Sequence, residues 1–213
     1  MLLVLALASP LSAQINSNDV RNRYQKQASS SANIDEQVRK LRSDDPMERL
    51  EGVKGLQETN DSKAFEYLIQ AIGDKDVRVR VKAIEALADM KATVATPVLV
   101  QHLFLVSTET PMKQRILAAL GKIGDPAATR PITELLQRDL DPATRGTAIY
   151  ALGDIGSPDA VSTLERIAAK DGENPTLKRL ANEALAKVRQ QQEARAKEAK
   201  GPQETFLEPR EPQ

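Results

Sequence analysis

Few residues in this chain are of types that do chemistry on their own. It holds one histidine, His102, and no cysteine, so thiol nucleophiles, thiolate metal sites and disulfides are all absent. A single imidazole without cysteine partners makes a poor metal centre. No nucleophile beside a base, no paired acid and base and no phosphate-cradling loop stands out, so no catalytic, cofactor or metal residue is assigned. Thirty basic and thirty acidic residues cancel, which removes any broad electrostatic drive toward nucleic acid or an anionic membrane. Three tyrosines and three phenylalanines without a tryptophan leave little for base stacking. Asn60-Asp61-Ser62 fits a glycosylation acceptor, but Asp61 falls where a helix cap is needed, which accounts for it without a sugar.

What positions these residues is a repeat. Leu56, Leu87, Leu120, Leu152 and Leu185 lie 31, 33, 32 and 33 residues apart, and their neighbours recur with them. Eleven residues before each leucine stands a capping type, Asp45, Asp76, Asp141 or Asn174, with Glu109 as the exception. Seven before it stands a cation: Arg49, Arg80, Lys113, Arg145, Lys178. Eight after it comes Ala64, Ala95, Ala128 or Ala160, and twelve after it Leu68, Leu99, Ile132 or Leu164. A period of this size means a solenoid, whose units bury their apolar faces by stacking on each other.

Each unit reads as two helices. Asp141 caps the first of the fourth unit, Pro142 sits at its first turn where a missing N–H costs nothing, and Ala148, Ile149, Leu152 and Ile155 form one inward stripe. Gly156-Ser157-Pro158 ends that helix and starts the next, as Gly124-Asp125-Pro126 does one unit earlier. His102 corresponds to Ala71, Leu135 and Ile167, so a histidine at the core or its edge is expected. Four of the recurrent cations follow an acid by four residues (Asp45 and Arg49, Asp76 and Arg80, Glu109 and Lys113, Asp141 and Arg145). That spacing favours local ion pairs linking the units as a ladder, with a ligand-binding stripe as the alternative.

Ala119-Leu120-Gly121-Lys122-Ile123-Gly124-Asp125-Pro126 and Ala151-Leu152-Gly153-Asp154-Ile155-Gly156-Ser157-Pro158 resemble the first-helix ending and turn of the HEAT repeat, in its short phycobilisome-lyase-type form. The resemblance covers about residues 43 to 188. It implies an all-α, right-handed α-solenoid of the armadillo type, with about four HEAT-like helix pairs and capping helices at both ends. It also implies that second helices line the concave side, where partners sit. The His-Glu pairs of the family's di-iron hydroxylases have no match here, so that activity is not carried over.

Outward positions of the second helices give the candidate partner-binding surface. Val100 and Phe104, one helical turn apart, are apolar where the third unit carries Thr133 and Gln137. They are either an exposed interaction anchor or a pair buried by local rotation of their helix. Glu66, Gln70, Pro97, Gln101, Arg130, Glu134 and Arg166 complete the surface around them.

Residues 1–13, a short apolar run ending in small residues, read as a secretory signal cut near Ala13, or else as an N-terminal helix or loose anchor. Residues 14–33 read as a disordered spacer, 34–189 as the repeat domain opened by a capping helix over 34–42, and 190–213 as a polar helical extension and disordered tail. The expected function is a non-enzymatic scaffold of the bacterial cell envelope, periplasmic or secreted, that binds a protein partner. It uses no cofactor, binds no nucleic acid and has no integral membrane span. A lyase-type HEAT-repeat enzyme or enzyme subunit is the alternative.

Overall fold

The computed structural model describes residues 33–199. The expected signal, the spacer up to residue 32 and the tail from residue 200 lie outside the described residues. Within them are α1 (33–41), α2 (Pro46–Thr59), α3 (Ala64–Ala71), α4 (Val77–Asp89), α5 (Thr96–Phe104), α6 (Thr110–Ile123), α7 (Thr129–Leu135), α8 (Pro142–Ile155), α9 (Val161–Ala169) and α10 (Pro175–Ala199). No strand occurs among the described residues. The capping helix α1 starts at 33 and ends at 41, within a residue of expectation.

The capping residues act as their types require. The carboxylate of Asp45 accepts from the Met47 N–H at 2.9 Å, that of Asp76 from Arg78 at 2.8 Å, and that of Asp141 from Thr144 at 2.9 Å. The Asn174 carbonyl does the same for Thr176 at 2.8 Å. Glu109 makes no side-chain cap, because its longer arm does not fold back onto the first turn as an aspartate does. Four residues after each of the first four anchor leucines the backbone turns left-handed, at Asn60 (φ 47°), Lys91 (φ 53°), Gly124 (φ 75°) and Gly156 (φ 66°), whereas α10 runs on past Leu185. Two of these four are the glycines that this conformation favours.

The second helices differ from expectation in one respect. A 3₁₀ turn occupies Thr93–Ala95, Pro126–Ala128 and Pro158–Ala160, and the α-helix starts after it. Ala95, Ala128 and Ala160, which close these turns, are fully buried, so the tight turn brings a small side chain down onto the core. All five anchor leucines are buried, and the alanine and second-helix apolar positions read from the repeat are fully so.

First helices stack directly on one another, α2 on α4, α4 on α6, α6 on α8 and α8 on α10. Glycine sets the closest of these approaches: a Cβ at Gly121 would lie 3.0 Å from the Ala151 Cα, and one at Gly153 2.9 Å from the Ala184 Cα. The residues at the same repeat position in the first two units are Gln57 and Ala88, and the α2–α4 and α4–α6 seams are looser than those that follow.

The ladder of charge is built from other acids than the spacing suggested. Asp45, Asp76 and Asp141 serve as caps, while their cations reach elsewhere. Arg49 pairs with Asp74 of the next unit at 2.8 Å, and Arg145 with Glu173 of the next unit at 3.0 Å. Arg49 and Arg80 also donate to the loop carbonyls five and six residues before them, Asp44 and Ser43 in one case, Lys75 and Asp74 in the other. A second set, two residues after the anchor leucine, joins Lys122 to Asp89 and Lys187 to Asp154, and Gln57, one residue after its leucine, donates to Asp89 at 2.7 Å.

Candidate functional site

The outward row on the second helices is largely as read. Glu66 and Gln70 on α3, Pro97 and Gln101 on α5, Arg130 and Glu134 on α7 and Arg166 on α9 are all exposed. Arg130 and Glu134 spend their charge on each other, at 2.9 Å. Val100 and Phe104 are half-buried and pack against the core. Phe104 is further covered from the following unit, where the Arg138 guanidinium lies 4.6 Å from its ring centroid.

A concavity of another kind lies on the first-helix side. A groove of about 810 Å³ runs between α2, α4 and α6 and is closed at one end by the α5–α6 loop. Its floor is apolar, with Leu50 and Val81 half-buried beside Met112, and Val77 and Leu105 at its lip 52% and 40% exposed. The looser seams among α2, α4 and α6 leave room for it, while the glycine contacts of α6, α8 and α10 draw those helices together.

Sequence reasoning missed this groove although a signal was present. Six residues before the anchor leucine, the first two units carry Leu50 and Val81, where later units carry Gln114, Gly146 and Arg179. Val77 likewise stands at the first helical position, which Pro46, Pro142 and Pro175 occupy elsewhere. Apolar residues placed off the inward stripe in two successive units mark a surface rather than the core.

His102 is half-buried and lines the same groove. Burial, and then the nearby Arg80 charge, push its imidazole below the ordinary histidine range. The expected core-edge position holds. Among the described residues no group of three or more His, Cys, Asp or Glu side chains is placed to hold a metal, and no helix is long and apolar enough to cross a membrane.

Helix pairs stacked at a fixed period, each completing its neighbour's core, define an α-solenoid. Residues 35–104 and 103–186 match the HEAT-repeat family, and the chain belongs to it. The fold is similar to that of the complex of CpcE and CpcF of phycocyanin lyase from Nostoc sp. PCC7120, with a TM-score of 0.58 and 18% identity over 88% of this chain and 70% of that one. It is also similar to an engineered protein, with a TM-score of 0.51 and 18% identity over 78% and 83% of the two chains. A stretch of 61 residues is 36% identical to epoxyqueuosine reductase of Bacillus subtilis (strain 168), covering 29% of this chain and 16% of the reductase. The two structural likenesses concern the fold, on which many unrelated functions are built.

Proposed function

We propose that this chain is a non-enzymatic scaffold of the bacterial cell envelope that holds a protein partner. The observation that carries the reading is the open groove among α2, α4 and α6, whose apolar floor is left uncovered by the chain's own described residues. A soluble helical array gains nothing in stability from Val77 and Leu105 at such a lip, whereas a partner that removes them from water gains about 25 cal/mol for each Å² buried. The exposed row from Glu66 to Arg166 is the second contact surface, where charged side chains set orientation and encounter rate more than affinity. The apolar run at residues 1–13 supports export.

The test is capture from an envelope fraction of the source organism with the tagged full chain, alongside the variants Val77→Asp and Arg130→Glu. A protein retained by the parent and lost with Val77→Asp supports the scaffold and places contact in the groove. Loss with Arg130→Glu instead moves the contact to the second helices. A chromophore or metal that copurifies without any protein moves the reading to a lyase-type enzyme or enzyme subunit.

A further inference from the structure

We infer that the α2–α4–α6 groove receives an acidic segment with apolar anchor residues, contributed by a partner protein. This rests on the scaffold reading and gives its partner a chemistry. The chain as a whole is neutral, with 30 basic and 30 acidic residues, so an excess of one sign at one place belongs to that place. Three carboxylates line the groove against the five cations Lys54, Arg78, Arg80, Lys82 and Arg115; Asp74 is engaged by Arg49 at 2.8 Å and Glu85 by Arg115 at 3.3 Å, which leaves Glu109. Lys54 and Lys82 line the same walls and form no ion pair among the described residues. The groove thus offers an apolar floor bordered by more cations than carboxylates, which complements a segment of leucine-like anchors set among carboxylates.

An anionic bilayer has the same two chemistries, but the apolar floor of this site is recessed between helices. Leu50, Val81 and Met112 are half-buried there, and a flat membrane surface does not reach between packed helices. A peptide segment does.

The experiment is fluorescence anisotropy of the full chain with two labelled peptides of about 14 residues, one repeating leucine among glutamates and the other leucine among lysines. The acidic peptide binds at least about tenfold tighter than the basic one and weakens as salt is raised. The double variant Lys54→Glu with Lys82→Glu loses at least about tenfold for the acidic peptide. Lys197→Glu, exposed on α10 away from both contact surfaces, keeps the parent affinity, and circular dichroism reports whether each variant is folded. Val77→Asp, which sets a carboxylate at the groove lip, also weakens binding of the acidic peptide.

Equal binding of both peptides, or acidic binding unchanged by the charge reversal, overturns the inference. Vesicles of anionic phospholipid that bind more tightly than the acidic peptide, with the same loss in the double variant, overturn it in favour of a membrane. If no peptide binds while Val77→Asp still releases the captured envelope protein, the acidic chemistry is wrong and the scaffold reading stands.

Discussion

Arg49 and Asp74, 25 residues apart and in successive units, are joined by two parallel bonds, Nε to Oδ2 at 2.8 Å and Nη2 to Oδ1 at 2.9 Å. Burial alone would raise the Asp74 carboxyl, but the Arg49 guanidinium and the Asp76 N–H, 2.8 Å away, hold it below the ordinary carboxylate range. A carboxyl lowered in the folded state adds stability above its unfolded value of about 4, and loses it as the pH falls through the folded value. Asp89, Asp141 and Glu173 are shifted in the same direction. Urea melts should therefore give a midpoint that is steady near neutrality and declines below about pH 4. Asp74→Asn should lower the neutral midpoint at an unchanged m-value and flatten the acid decline.

The glycines at the helix seams give a second expectation. Gly153→Ala places a methyl 2.9 Å from the Ala184 backbone, which cannot swing aside. The overpacking should outweigh the gain in helix propensity and cost about 1–3 kcal/mol in chemical denaturation. At Gly55 the nearest atoms belong to the movable end of the Gln37 side chain, so Gly55→Ala should lie within about 1 kcal/mol of the parent.

Two departures from the repeat can be repaired. Lys91→Gly relieves a left-handed non-glycine residue at the position of Gly124 and Gly156 and should stabilise by about 1 kcal/mol. Glu109→Asp restores the cap that Asp76 and Asp141 provide and should add about 0.5–1 kcal/mol. The two sites lie in different turns, so the double variant should show additive gains in thermal and urea melts.

The proposed export has its own measurement. N-terminal sequencing of the protein isolated from its native cells should begin close to Gln14, because a cut near Ala13 follows the apolar run. An intact Met1 on protein recovered from the cytosol would contradict it.

The parts of the fold that were legible in the sequence are those fixed by local chemistry. Asp45, Asp76, Asp141 and Asn174 cap because a short oxygen-bearing side chain reaches its own first turn. Leu56 to Leu185 point inward because their spacing leaves one face apolar. The partner of Arg49 was not legible: an acid four residues away and another in the next unit suit an arginine equally until the loop between units is placed. The groove was harder still, since its width depends on how closely helices approach, with Gly121 and Gly153 at two seams and Gln57 and Ala88 at the others. The cover on Phe104 was not legible either, since Arg138 comes from the next unit and shares no local pattern with it.

The central claim is that the molecule works by holding another polypeptide. Native mass spectrometry of the protein purified from its own cells under non-denaturing conditions tests it most directly. The account predicts a species heavier than the chain by the mass of a second polypeptide, which dissociates when the groove carries Val77→Asp. A species heavier only by a small chromophore or metal, or one that turns over a substrate without any protein bound, would contradict it.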